Sequence, residues 1–235
     1  MRFRQIDDRA SSSDLDPSFW VPFAKNSCYL SWKGIPIQKE PFQMVSTQQI
    51  ILELKPATII EFGSSYGGSA LWLADIQGLV MQNGQVISVD INHDKIAKEA
   101  FADKRIRFIQ GDLTKKIEDI LTPKILADIS YPLLFIEDSH VNTLQILEYF
   151  HQSILKAGDY MIIEDTNLDY YKACNRVRKK KFADDHPMLG KLKVLTDWLY
   201  NHKDSYLIDT KYTDLFGIMN TSKNWNSVIK RVYTS

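Results

Sequence analysis

The chain has 235 residues, with 29 Lys plus Arg against 29 Asp plus Glu, 44% hydrophobic and 25% charged residues, which are ordinary averages for one globular domain. Balanced charge lacks the basic footprint that phosphate neutralisation requires, so the composition disfavours nucleic acid as the main partner and points to small molecules. Roughly 70% of the unfolded surface is buried at such a length, so no metal or disulfide staple is needed. The two cysteines, Cys28 and Cys174, form no C-x-x-C pair and read as free thiols of a reducing, cytoplasmic compartment. The N-terminus lacks the apolar core of a signal peptide, and no run approaches the ~18 apolar residues of a membrane span.

In chain order, residues 1–45 read as an irregular leader whose Trp20, Phe23, Tyr29 and Trp32 are too aromatic for a disordered tail, and so pack on the domain or cover its pocket. Residues 46–235 form the domain. Met44 to Leu54 has partly helical spacing and stops at Pro56; Thr58 to Phe62 is a β-branched run closed by Gly63, and Ala70 to Ile76 is helical. The strand–helix unit recurs: Gln85 to Asp90 then Asp94 to Phe101, Ile106 to Ile109 then Lys115 to Leu121, and Pro132 to Ile136 then Val141 to Leu155. Tyr160 to Ile163 is a fifth strand. A polar, basic segment (Tyr170 to Asp185) and a helix (Leu189 to His202) follow, and the runs Tyr206 to Ile208, Leu215 to Met219 and Val228 to Tyr233 supply an antiparallel edge. This alternation predicts an α/β, doubly wound, mostly parallel sheet covered on both faces.

Ligands in such sheets bind beyond the carboxyl ends of the strands, where the strand order reverses. The first strand ends in Glu61-Phe62-Gly63-Ser64-Ser65-Tyr66-Gly67-Gly68-Ser69, which is neither G-x-G-x-x-G nor a P-loop. Glu61, just before the turn, would repel a pyrophosphate and suits a cationic ligand. Asp90 ends the second strand and can accept ribose hydroxyls, although a turn or capping role fits it equally; Asp112 ends the third and either faces an adenine amino group or caps the chain that follows. Strands four and five each end in a Glu-Asp pair, Glu137-Asp138 and Glu164-Asp165, so as many as four carboxylates converge. Like charges that close take up protons or recruit a cation, and an oxygen set suits Mg²⁺, Mn²⁺ or Ca²⁺; the plainer alternative is one capping acid and one solvated acid per pair. His140, three residues after Glu137, is either structural or a general base in the same cleft. The run Arg176 to Lys181 is a solvated face or a lure for an anionic substrate.

With those residues in place, the chain resembles class I S-adenosylmethionine-dependent methyltransferases, and among them the cephalosporin hydroxylase family, which includes sugar O-methyltransferases. The carriers are Glu53 to Asp75, Val86 to Asn92, Phe108 to Asp112, Leu133 to Asn142 and Ala157 to Asn167. The resemblance implies a seven-stranded Rossmann-like sheet with an N-terminal extension and methyl transfer to a hydroxyl or carboxylate oxygen of a small acceptor. It implies that Gly63, Tyr66, Gly67, Gly68 and Ser69 surround the methionine end of S-adenosylmethionine, Asp90 the ribose and Asp112 the adenine, with Glu61, Ser64 and Glu137 also among the cofactor-binding residues. Mg²⁺ would sit on Glu137, Glu164 and Asp165, with His140 as base. The family's fourth-strand ligand is Asp three residues before the histidine; here Glu137 occupies that register and Asp138 follows it, so either can be the third ligand. Relatives form dimers or larger assemblies, which implies a homo-oligomer. A non-catalytic S-adenosylmethionine-binding accessory subunit is the alternative.

Overall fold

The computed structural model describes residues 1–26, 30–178 and 187–233. Cys28, Tyr29, Lys179, Lys180 and Lys181 lie outside the described residues. The N-terminal part contributes β1 (Phe3–Arg4), α1 (Trp20–Asn26) and a hairpin of β2 (Ser31–Trp32) and β3 (Ile35–Pro36). The chain then runs through α2 (Pro41–Leu54), β4 (Thr58–Phe62), α3 (Gly68–Gly78), β5 (Gln85–Asp90), α4 (Lys98–Phe101), β6 (Ile106–Gln110), α5 (Pro123–Ala127), β7 (Leu133–Glu137) and α6 (Thr143–Ser153). It ends with β8 (Tyr160–Ile163), α7 (Leu168–Val177), α8 (Pro187–Asn201), β9 (Tyr206–Asp209), α9 (Thr210–Thr213) and β10 (Val228–Arg231).

One sheet has the order β1-β9-β10-β8-β7-β4-β5-β6. From β8 to β6 the strands are parallel, and β10, β9 and β1 join antiparallel. The seven strands β4 to β10 are the expected sheet, and the leader adds β1 as an eighth edge strand. Order reverses at β4, whose neighbours β5 and β7 come later in the chain on either side. Register levels the carboxyl ends: Phe62 pairs with Val89 and with Glu137, and Glu137 with Ile163. Gly63, Asp90, Asp138 and Glu164 therefore form the next row, at the edge where ligands bind.

Alternation along β4 divides the core. Ile60 and Phe62 pack with α6 and α8 on one face, where the Phe135 and Phe150 rings stack; Ile59 packs with α2 and α3 on the other. Each fully buried large side chain of α6, such as Ile146, Leu147 or Phe150, contributes about 1.5–3 kcal/mol relative to exposure.

Several elements differ from the pattern. α2 begins at Pro41 because the Glu40 carboxylate caps the Phe42 and Gln43 amides, so position 45 falls inside a helix. Leu215 to Met219 is a turn: Asp214 accepts from the Met219 amide, Thr221 from that of Leu215 and Asn220 from that of Phe216, so side chains hold the amides a ladder would need. Between β6 and β7 the helix is α5, started by Pro123, and Lys115 to Leu121 holds only the short 3₁₀ turn Ile117–Asp119. The leader is tied down at two points: Arg2 makes two hydrogen bonds of 2.8 Å to Asp209, and Trp20 packs edge-on against Tyr170 of α7. No helix among the described residues is long and apolar enough to cross a membrane.

Candidate active site

The turn from β4 into α3 is set by backbone demands. Gly63 has φ +102°, and a Cβ there would lie 2.7 Å from the Asp138 carbonyl oxygen, so any side chain would push β7 away. Gly68 packs under the Pro36 carbonyl of the leader, which leaves no room for a methyl group. The amide of Ser65 donates to Asp90 Oδ2 at 2.8 Å, while Oδ1 takes the Asn92 amide at 3.3 Å. Beneath the turn, the hydroxyls of Ser64 and Ser88 meet at 2.6 Å, and Ser88 donates to Glu61 Oε2 at 2.7 Å. Burial pushes the Glu61 carboxyl up, against the pull of the Lys39 ammonium. Asp112 has a different job: its carboxylate accepts from the amide and hydroxyl of Thr114, a capping turn.

At the ends of β7 and β8, successive side chains diverge to opposite faces. Glu137 is fully buried, with Oε1 held by the amide and hydroxyl of Ser139 and Oε2 2.6 Å from Lys191 Nζ. Asp138 faces the other way, towards His140, whose Nε2 lies 3.5 Å from Asp138 Oδ1 and 3.3 Å from Asp165 Oδ2. The loop turns there because His140 adopts φ +61° before α6 starts. Asp165 Oδ1 is 2.6 Å from Lys223 Nζ, and Glu164 Oε1 is 2.6 Å from Lys39 Nζ.

These pairs decide the charge states. Burial alone would raise the Asp165 carboxyl, but Lys223, then His140 and Lys191, overcome it and hold it well below the carboxylate range. Glu164, equally buried, is pulled down by Lys39 and Lys223. Asp138 goes the opposite way: burial, with the neighbouring Glu164 charge, drives it well up against Lys39. Burial lowers the His140 imidazole, with Asp165 opposing.

The Gly63 turn and the cluster of Asp138, His140 and Asp165 open on one cleft of about 580 Å³, the size of a small-molecule site. The structure brings together there Gly63, Ser64, Tyr66, Ser69, Asp90, His140 and Asp165, with Asp138. It does not bring Glu61, Gly67, Gly68, Asp112, Glu137 or Glu164 to the lining. Gly67 and Gly68 shape the turn from behind, Asp112 is spent on Thr114, and Glu61 and Glu164 lie beneath the surface. Register with the histidine selects Glu137 as a ligand; the structure instead turns it into an ion pair with Lys191 and leaves Asp138 as the β7 acid in the cluster. Lys39, Lys191 and Lys223, single lysines from a loop before α2, from α8 and from the loop before β10, carry no sequence motif, and their only signal is a partner far along the chain.

A parallel sheet reversing at β4, with β10 inserted antiparallel and a glycine turn facing an acid on β5, is the Rossmann-like fold of class I methyltransferases. In solved structures the same fold recurs in a form of CmcI with Mg and SAM (TM-score 0.68, 22% identity, 99% of this chain and 91% of that one). It recurs too in a form of CmcI with SAH (TM-score 0.64, 24% identity, 96% and 95%). Residues 24–231 match the profile of the family Rhamnosyl O-methyltransferase/CmcI, and the chain belongs to that family. A Rhamnosyl O-methyltransferase of Mycobacterium leprae (strain TN) is 35% identical over 141 residues, 59% of this chain and 61% of the relative, so the match spans about three-fifths of that protein's length.

Proposed function

We propose that this chain is an O-methyltransferase that takes its methyl group from S-adenosylmethionine and works with a divalent ion, Mg²⁺ first among them. One observation carries the reading: Asp138, His140 and Asp165 present ligating atoms within 4.8 Å of one another, in the cleft that the Gly63 turn and Asp90 also line. The carboxylate oxygens of Asp138 and Asp165 suit an oxygen-preferring ion and leave the His140 imidazole beside it as a base, and the buried Glu164 Oε2, which accepts no hydrogen bond, is an acceptor a nearby cation would satisfy. Asp138 and Asp165 would hold the ion with Glu164 behind them. Bound there, it would supply positive charge that makes a nearby hydroxyl more acidic.

The chain's own groups do the rest. Asp90 offers lone pairs to ribose hydroxyls, and the turn from Gly63 to Tyr66, with Ser69, bounds the methionine end of the donor. His140 accepts the proton that an acceptor hydroxyl releases as its oxygen bonds to the methyl carbon and the carbon–sulfur bond breaks, leaving S-adenosylhomocysteine. Tyr170 and Tyr171 line the cleft, and Tyr170 packs edge-on against Trp20 of the leader. Because the M. leprae relative is named a rhamnosyl O-methyltransferase, rhamnosides are the first acceptors to test.

Calorimetry with S-adenosylhomocysteine and with NAD tests the donor: binding of the first and not of the second is expected, and the reverse overturns the reading. His140→Ala is expected to keep that binding while methyl transfer to a rhamnoside falls about 10²-fold or more; unchanged turnover would remove His140 from the chemistry.

A further inference from the structure

Lys39 is the cation that links the leader to the acid cluster. It lies in the segment joining β3 to α2, its side chain is 3% exposed, and its Nζ lies 2.6 Å from Glu164 Oε1 and 3.4 Å from Asp138 Oδ2. A buried ammonium is costly unless paired, and here two carboxylates from different strands share the pairing. Glu61 adds a third attraction, and Lys223 is the cation that opposes it. Counted together, Glu61, Glu137, Asp138, Glu164 and Asp165 face the ammoniums of Lys39, Lys191 and Lys223, an excess of two negative charges when all are ionised.

We infer that Lys39 is a positioning residue, the resident counter-cation of Asp138 and Glu164, against which a divalent ion at Asp138 and Asp165 must bind. This rests on the metal reading above. An ion at Asp138 meets an ammonium already within 3.4 Å of that carboxylate, so metal occupancy and the seating of the segment Pro36 to Lys39 oppose one another. That segment lines the cleft, so its release on metal binding would change the room left for an acceptor.

The test is a titration of the whole protein with Mn²⁺ alone, with free ion read by electron paramagnetic resonance and folding checked by thermal melting. Lys39→Met and Lys39→Gln are expected to bind Mn²⁺ about 10-fold or more tightly than wild type, because a like charge is gone, while Lys39→Arg stays within about 3-fold. In wild type, Mg²⁺ should speed amide hydrogen exchange in residues 37–40. A residue needed only to hold the fold would give the opposite sign, so weaker or unchanged Mn²⁺ binding in both neutral variants overturns the role of Lys39. Asp165→Asn separates the two ideas. If it binds Mn²⁺ as wild type does, the ion sits elsewhere and the metal reading falls, taking this inference with it.

Discussion

The two walls of the cleft are built from different materials. At the ends of β4 and β5 the wall is backbone: a left-handed glycine, an amide donated to Asp90 and small hydroxyls, with no ion pair at that carboxylate among the described residues. At the ends of β7 and β8 it is charge: acids from adjacent strands, three of them held at 2.6 Å by lysines from distant parts of the chain. The first wall fixes shape through local geometry. The second stores electrostatic potential in a buried setting, where pairing decides which carboxylate stays available, and Asp138 is the one whose paired ammonium, that of Lys39, stands off at 3.4 Å.

The contrast can be broken most severely at Glu137. Replacing it with Leu leaves Lys191 buried and unpaired, so chemical denaturation should show a loss of about 3–5 kcal/mol, while Mn²⁺ affinity per folded molecule falls by no more than about 10-fold, the scale of one nearby ammonium. A loss of metal binding without a loss of stability would return Glu137 to the ligand set. Asp165→Asn comes next: methyl transfer should drop roughly 10²- to 10³-fold while S-adenosylhomocysteine still binds, since the change touches only the charged wall.

A third expectation concerns pH and the leader's anchor. Burial pushes the Glu40 carboxyl from 4.5 up to about 7, against the amides of Gln43, Phe42 and Lys223. The folded state thus holds this proton more tightly than the unfolded one, so the stability it adds is complete below pH 4.5 and is lost as pH rises through about 7. The swing is at most about 3 kcal/mol, and Glu40→Gln should flatten that part of the stability profile. The smallest effect belongs to the backbone wall: Asp90→Ala should weaken S-adenosylhomocysteine about 10-fold with little change in turnover, because the turn keeps its shape through Gly63.

The same division explains what the sequence reveals. Strand runs such as Thr58 to Phe62 and Gln85 to Asp90 are legible because their period and their glycine or acid endings are local, and the doubly wound sheet follows from their alternation. The acid pairs are legible as pairs. Which member faces the cleft is not: Glu137 and Asp138 differ by one residue, the strand pleat sends them to opposite faces, and counting back from His140 selects the one that Lys191 takes. Lys39, Lys191 and Lys223 carry no motif, since each gains meaning only from a carboxylate at least 50 residues away, as the separation of 125 residues between Lys39 and Glu164 illustrates. Leu215 to Met219 looks like a strand by composition, yet side-chain oxygens from Asp214, Asn220 and Thr221 claim its amides.

Paramagnetic broadening offers the most direct trial of the whole picture. With S-adenosylmethionine carrying a ¹³C-labelled methyl group and bound to the protein, added Mn²⁺ should broaden the methyl signal strongly, and Asp165→Asn should restore it. A methyl resonance that stays sharp while Mn²⁺ is demonstrably bound would mean that donor and ion do not share this cleft.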